Sequence, residues 1–213
     1  MKTTLLIVRH GESLGNRDER FLGHTDLGLS ELGKRQAAAL GAALRGRRID
    51  AVYSSDLCRA ADTVAPAAAD RDLPIVTRRD LREIYAGDWE GRRFDDLITE
   101  WPEERAVWKN DIGRACPPSG ERVADLYERA FAAITAVAAE NPGRTLLVGT
   151  HATPVRAITA RLLGLGVLGM ARIPWAPNAS ITTVVFEDGV ATLASPADAS
   201  HLAELVNEVP KKI

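Results

Sequence analysis

Short strand-like runs alternate with longer helical patterns along most of the chain. The apolar spacing of an amphipathic helix is clearest over 123–139. Strands that alternate with helices predict an α/β fold, a three-layer sandwich with a mostly parallel central sheet and helices on both faces. The runs predicted to be strands are 5–8, 50–55, 73–77, 145–150, 181–186 and 190–194.

Polar residues in front of the helical patterns predict where the helices begin. Ser30 is the expected N-cap of a helix that extends to about Arg45. Asp56 is the expected N-cap of the next helix. Thr153 is the expected N-cap of the helix after the strand at 145–150.

The segment at about 84–120 departs from the regular alternation. It contains Trp89, Trp101 and Trp108 together with the loop "CPPSG". We therefore expect residues 1–213 to form a single domain, with 84–120 as a lid-like excursion from it.

Composition and charge exclude several classes of partner. The chain of 213 residues is 46% hydrophobic and 26% charged, with a net charge of −2. This balance gives no global attraction to nucleic acid or anionic membrane, so neither is an expected partner. The sequence has no apolar run of membrane-spanning length and no disulfide pattern, so we expect a cytoplasmic protein. A homodimer is possible, because an exposed apolar edge expected near 184–186 could form the contact between two copies. A monomer is the alternative.

Basic side chains follow three of the predicted strands. Arg9 and His10 follow the first strand, and Arg59 lies in the first helical turn after the second. His151 follows the strand that ends at Thr150. Ligands of open α/β sheets bind at the carboxyl ends of strands, so neighbouring strands would gather these groups in one crevice. Helix N-termini add positive charge there, and such a crevice suits a dianion such as phosphate.

Residue type and position alone also allow interpretations without a function. A single histidine at a strand end is more often a structural residue than a catalyst, and an arginine in a first helical turn is usually solvated. A metal site built from His10, His24 and His151 is disfavoured, because the spacing matches no compact ligand motif and the adjacent arginines repel a cation.

Motifs that resemble a known family extend over most of the chain. The run "RHGES" at 9–13, followed by Asn16, resembles the signature of the histidine phosphatase superfamily, which includes the cofactor-dependent phosphoglycerate mutases. The further matching runs, in the family's order, are "FLGHTDLGLSELGKRQA" (21–37), "YSSDLCRAADT" (53–63), "LREIYAGDWEG" (81–91), "PPSGE" (117–121), "VGTHATPVRAI" (148–158) and "PNAS" (177–180).

The resemblance implies a role for each matching polar residue. His10 would be the nucleophile that accepts the phosphoryl group, and Glu83 would donate a proton to the leaving oxygen. The implied substrate-binding residues are Arg9, Asn16, Gly23, Arg59 and His151, of which the two arginines and His151 also count as catalytic. These groups supply the charge stabilisation of phosphoryl transfer, so no metal or other cofactor is expected.

Departures from the mutase pattern favour hydrolysis. Leu22 and Ala86 stand where mutases usually carry a hydroxyl-bearing residue and a tyrosine, and "AVWKND" leads quickly to "CPPSGE" instead of a longer cover. We therefore expect a metal-independent phosphomonoester phosphatase, a hydrolase of the histidine acid phosphatase type, acting through a phosphohistidine on a small phosphorylated metabolite. The alternatives are a phosphoglycerate mutase and, less favoured, a non-catalytic phosphate-binding module. His201 resembles a tail histidine of metal-independent phosphoserine phosphatases, so phosphoserine is one candidate substrate beside phosphoglycerates and sugar phosphates.

Overall fold

The computed structural model describes residues 1–207. The strands are β1 (Lys2–Arg9), β2 (Ala51–Ser55), β3 (Ile75–Arg78), β4 (Thr145–Thr150), β5 (Ile181–Glu187) and β6 (Val190–Asp198). The α-helices are α1 (Leu14–Arg17), α2 (Glu31–Leu44), α3 (Cys58–Ala69), α4 (Phe94–Glu100), α5 (Pro102–Asn110), α6 (Val123–Ala139) and α7 (Ala152–Leu162). Short 3₁₀-helices lie at Arg79–Leu81, Gly87–Trp89, Ile112–Arg114, Leu168–Arg172 and Ser200–Leu205.

The strands form one mixed sheet in the order β3-β2-β4-β1-β5-β6. The first four strands in this order are parallel, and β5 and β6 run antiparallel to their neighbours. The predicted fold class is therefore confirmed. Because β2, β4 and β1 are adjacent, their carboxyl ends meet at one edge of the sheet, as the argument from strand ends requires.

Alternate residues of the central strands enter two different apolar cores. Leu5 and Ile7 of β1 pack on the side of the sheet covered by α6 and α7. Leu6 and Val8 pack on the opposite side, covered by α2 and α3. A strand buried on both faces reads as a continuous apolar run, which is why 5–8 lacks polar alternation.

Two predicted helix caps are wrong. Ser30 does cap α2, since its hydroxyl accepts from the backbone N–H of Gly33 at 3.0 Å. Asp56 does not cap α3; it binds Arg82 through both carboxylate oxygens, and the first-turn N–H of α3 donates instead to Asp26. Thr153 does not cap α7 either, because the helix already begins at Ala152. Both errors arise because residues distant in sequence satisfy these N-termini.

The segment 84–120 contains two α-helices, two short 3₁₀-helices and no strand, and its large side chains enter the main core. Trp89 and Trp108 are buried, and Trp101 packs partly buried against the same core. Within residues 1–207 no helix is long and apolar enough to cross a membrane.

The expected apolar edge near 184–186 is wrong, because β5 pairs with β1 on one side and with β6 on the other. Val184 is fully buried between these neighbours. The exposed edge was the sequence argument for a homodimer, and that argument no longer holds. The homodimer itself stays a prediction.

Candidate active site

The central strand β1 delivers two basic residues to the edge of the sheet. Arg9 is its last residue, and the backbone N–H of His10 donates to the carbonyl of Thr150 on β4 at 2.9 Å. His151 follows Thr150 directly, so the two imidazoles meet with ring centroids 5.2 Å apart. Both histidines are buried.

A backbone hydrogen bond fixes the ring of His10. Its Nδ1 lies 2.7 Å from the carbonyl oxygen of Gly11, which can only accept, so Nδ1 carries the proton and Nε2 keeps its lone pair. Glycine is required at position 11, since a Cβ there would come within 2.8 Å of the Gly33 carbonyl oxygen at the start of α2. The result is an imidazole whose Nε2 is ready to act as a nucleophile.

The pKa of His10 lies well below its ordinary value, mainly because of burial and further because of the positive charges of Arg59 and Arg9. Burial also lowers the pKa of His151, with Arg59 and His10 adding to the effect. Both imidazoles are therefore neutral at physiological pH. A neutral ring is the form that a phosphoryl acceptor needs.

Two buried guanidinium groups flank these rings. Arg59, in the first turn of α3, donates to the carbonyls of Gly23 at 2.7 Å and Thr25 at 2.9 Å. Arg9 donates to the carbonyl of Ala176 at 2.5 Å. Among residues 1–207 neither Nε atom has a hydrogen-bond partner, and burial lowers the pKa of Arg9 only to about 10. The site thus holds two charged forks with donors left for an anion.

Asn16 and Gly23 complete the wall around the arginines. The side-chain oxygen of Asn16 accepts from the backbone of Ser13 at 3.1 Å and from the amide of Asn178 at 3.3 Å, which leaves its own NH₂ group as a donor. Gly23 has φ of 51° and contributes its carbonyl to Arg59. A Cβ at Gly23 would lie 2.2 Å from Glu90, so glycine is needed for this turn.

Glu83 lies on the segment that leaves β3. One carboxylate oxygen accepts from the backbone N–H of Thr153 in the first turn of α7 at 3.3 Å, and the other accepts from Ile84 at 2.9 Å. Glu83 lines the same cleft as His10. This is where a proton donor to a leaving group would stand.

One cleft of about 460 Å³ contains most of the predicted residues. Its walls include Arg9, His10, Asn16, Gly23, Arg59 and Glu83, together with Arg20, Phe21, Leu22, Phe94, Trp108, Ala152, Thr153 and Trp175. His151 stands behind His10, with Nε2 2.9 Å from the hydroxyl of Ser55 and a buried Nδ1 that has no partner among residues 1–207. The structure therefore brings together all seven residues that the sequence singled out.

Sequence reasoning missed the outer wall of the cleft. Trp108 was not among the predicted site residues, yet its indole lines the cleft and stacks on Trp175 with centroids 6.2 Å apart. Phe94 and Trp175 carry no local signal that separates a cleft residue from a core residue. Their position depends on how 84–120 folds back over the sheet.

Glu90 was also missed, although it lies in the quoted run "LREIYAGDWEG". Its carboxylate accepts four hydrogen bonds, from the backbone of His24, Thr25 and Ala86 and from the Thr25 hydroxyl. It therefore fixes the turn whose carbonyls hold Arg59.

His201 does not lie among the residues that line the cleft. Its Nε2 is 3.1 Å from the carbonyl oxygen of Ala179, beside Asn178. The rest of the expected tail, after Asn207, lies outside the described residues.

The family model for the histidine phosphatase superfamily (branch 1) matches residues 5–199. The chain belongs to the histidine phosphatase superfamily. It is 34% identical over 161 residues to adenosylcobalamin/alpha-ribazole phosphatase of Escherichia coli K12, covering 76% of this chain and 79% of that protein. It is 29% identical over 212 residues to phosphoserine phosphatase 1 of Hydrogenobacter thermophilus, covering 98% and 99%.

One solved structure has nearly the same fold as this chain. Bacillus stearothermophilus YhfR superimposes with a TM-score of 0.90 at 30% identity, covering 94% of this chain and 99% of that one. The superfamily resemblance inferred from the motifs is therefore confirmed, and so is the presence of phosphatases among the relatives.

The buried neutral histidines predict a loss of stability in mild acid. In the unfolded chain these imidazoles take up protons as the pH falls below about 6.5, whereas the folded protein keeps His10 and His151 neutral. Unfolding then binds protons, so the free energy of unfolding decreases by up to about 1.4 kcal/mol per pH unit for each histidine. Burial also lowers the pKa of His201, which adds to the effect.

Urea unfolding at pH 7.5, 6.5 and 5.5 measures this slope. In His10→Gln, one titrating group is removed, and we expect a shallower fall between pH 6.5 and 5.5 than in the wild type. A free energy of unfolding that does not change over this range would contradict the prediction.

Proposed function

We propose that this protein is a metal-independent phosphomonoester phosphatase that acts through a phosphohistidine at His10. The observation that carries the proposal is the His10 ring, fixed by Gly11 with its Nε2 lone pair free, beside two buried arginines with unpartnered Nε donors. A neutral nucleophile amid permanent positive charge suits attack on a phosphate dianion. The substrate is a small phosphorylated metabolite, and no metal is needed.

The reaction would proceed in two displacements. His10 Nε2 attacks phosphorus, the bond from phosphorus to the ester oxygen breaks, and Glu83 gives its proton to the departing alcohol. In the second step Glu83 takes a proton from water, whose oxygen attacks phosphorus while the N–P bond to His10 breaks. Inorganic phosphate leaves, and the enzyme returns to its initial state.

The remaining polar groups would hold the phosphoryl oxygens throughout. Arg9 and Arg59 offer Nε atoms on forks that other hydrogen bonds already hold in place. Asn16 offers its NH₂ group, and His151 its buried Nδ1 if that nitrogen carries the proton. Because these donors are preorganised, they stabilise the charge of the transition state without reorganisation.

Hydrolysis is preferred to phosphoglycerate mutation on the residues of the cleft. The wall beyond the phosphate-binding groups is formed largely by Phe21, Phe94, Trp108 and Trp175, together with one charged side chain, Arg20, whose Nη1 already donates to the carbonyl of Gly91. A mutase must hold the sugar acid after transfer and keep water out, which calls for a grip on its carboxylate. The relatives from E. coli and H. thermophilus described above are named phosphatases, which supports the same choice.

The product of turnover tests the proposal. Incubation with p-nitrophenyl phosphate should release p-nitrophenol and inorganic phosphate in equal amounts, at a rate far above that of His10→Ala. A second incubation supplies 3-phosphoglycerate and a bisphosphoglycerate primer. Rapid formation of 2-phosphoglycerate without free phosphate would identify a mutase, and no release above the His10→Ala control would identify a binding module.

A further inference from the structure

We propose that Arg129, paired with Glu121, is a positioning residue that sets Glu83 for proton transfer to the leaving group. The inference rests on the proposed function, because it assigns a task to the residue that is taken there as the acid. Neither residue is among the described residues that line the cleft. Arg129 lies on α6 and acts from behind the segment that carries Glu83.

The guanidinium of Arg129 uses all five of its N–H groups. Nη1 donates to the carbonyls of Asp80 at 2.9 Å and Arg82 at 3.0 Å. Nη2 donates to the carbonyl of Glu83 at 3.2 Å. Its two remaining bonds go to the carboxylate of Glu121, from Nε at 2.9 Å and from Nη2 at 2.8 Å. One side chain thus holds three backbone carbonyls within four consecutive residues.

These carbonyls belong to backbone that has left the sheet. β3 ends at Arg78, and after the short 3₁₀-helix Arg79–Leu81 the chain runs in irregular conformation past Glu83. Irregular backbone has no ladder to fix its dihedral angles, so side-chain donors must do so. A planar fork with five donors in fixed directions suits this task, and a lysine does not.

Glu121 holds the other side of the same segment. Its backbone N–H donates to the carbonyl of Tyr85 at 2.8 Å, and its carboxylate accepts from the backbone N–H of Tyr85 at 3.2 Å. The Glu83 carbonyl also accepts from His24 Nε2 at 2.9 Å. Glu83 is therefore fixed on both sides, which explains why the run "PPSGE" ends in a glutamate.

Burial makes the Arg129–Glu121 pair more than a surface ion pair. Their side chains are 25% and 18% exposed. By contrast, Arg122 at the start of α6 pairs with Asp125 and is 68% exposed. Exposed pairs of this second kind contribute little, so Arg122, the residue directly before α6, provides a matched control.

Leaving-group dependence separates a positioning role from a merely structural one. Phenyl phosphate and p-nitrophenyl phosphate have similar shapes, but phenolate is the poorer leaving group and needs a proton more. The parameter kcat/KM covers the steps up to departure of the alcohol. A variant that misplaces the acid should therefore lose more activity on phenyl phosphate, whereas a general loss of folded enzyme lowers both rates equally.

For Arg129→Gln we expect kcat/KM to fall about 30-fold on phenyl phosphate and less than about 3-fold on p-nitrophenyl phosphate, within the range that general acids contribute. Glu83→Gln should show the same pattern with a larger loss, and the double variant should lose no more on phenyl phosphate than Glu83→Gln. Arg122→Gln should leave both rates unchanged. Should Arg129→Gln fail to fold, Glu121→Gln should give the same pattern more weakly.

The outcomes distinguish an error in the positioning role of Arg129 from an error in the assignment of Glu83 as the acid. Equal losses on both substrates in Arg129→Gln, beside a leaving-group effect in Glu83→Gln, would overturn the positioning role and leave the proposed function intact. An absent leaving-group effect in Glu83→Gln would overturn the assignment of the acid and the role of Arg129 with it. Additive losses in the double variant would also refute action through Glu83.

Discussion

His10→Ala should reduce the rate of phosphate release by about 10⁴-fold or more, because removing a nucleophile leaves only binding and electrostatic effects. Reactions with ³²P-labelled substrate, quenched in alkaline denaturant because an N–P bond is labile to acid, should yield labelled wild-type protein and unlabelled variant. In the proposed mechanism the phosphoramidate bond forms at the fixed Nε2 of His10, and alanine offers no acceptor. The two quantities measured are the rate of phosphate release and the amount of ³²P that stays bound to the protein.

The control for this variant is His201→Gln, which changes a histidine outside the cleft and should keep nearly full activity. Circular dichroism must show that His10→Ala is folded. Inorganic phosphate should still bind to it, since Arg9 and Arg59 are unaltered. A His10→Ala rate within tenfold of the wild type would show that another group accepts the phosphoryl group.

Arg59→Lys should lower kcat/KM by about 10³-fold, although the charge is kept, because guanidinium contacts to a transferring phosphoryl group have effects of this size. A lysine cannot reproduce the fork that binds the Gly23 and Thr25 carbonyls while aiming Nε at the substrate. Inhibition by inorganic phosphate should weaken in parallel. Steady-state kinetics with phosphate as competitor measures both effects.

Arg45→Lys is the matched control for this substitution, since that arginine is exposed and forms an ion pair with Asp70 at the surface. It should leave the kinetics unchanged. Thermal unfolding of Arg59→Lys shows whether the variant is folded, so a loss of contacts to the phosphoryl group can be told apart from a loss of structure. A loss of less than tenfold in a folded Arg59→Lys would mean that charge alone suffices at this position.

Most of the fold was predictable because its signals are local. Buried strands read as apolar runs, and α6 reads as a helical repeat with the predicted bounds, 123–139. Arg9, His10 and His151 follow predicted strands, so their place at one edge of the sheet could be predicted without any knowledge of the family. The matching motifs then added Glu83, which no periodicity indicates.

The parts that could not be predicted depend on contacts between distant segments. Asp26 satisfies the start of α3 from 32 residues away, so Asp56 was available to bind Arg82 instead. Arg129 reads as an ordinary polar position on an amphipathic helix. Its task becomes visible only when α6 lies beside the chain that leaves β3.

The placement of His10 directly after β1 has a consequence for how the protein responds to local opening. That strand is the one bonded to β4 and β5 in the interior of the sheet, and the peptide N–H of His10 is part of the same bonding to β4. Because His10 is bonded to the interior of the sheet, we expect it to keep its place when surface loops open locally. Glu83 lies on irregular backbone, so local opening should cost proton transfer before it displaces the imidazole.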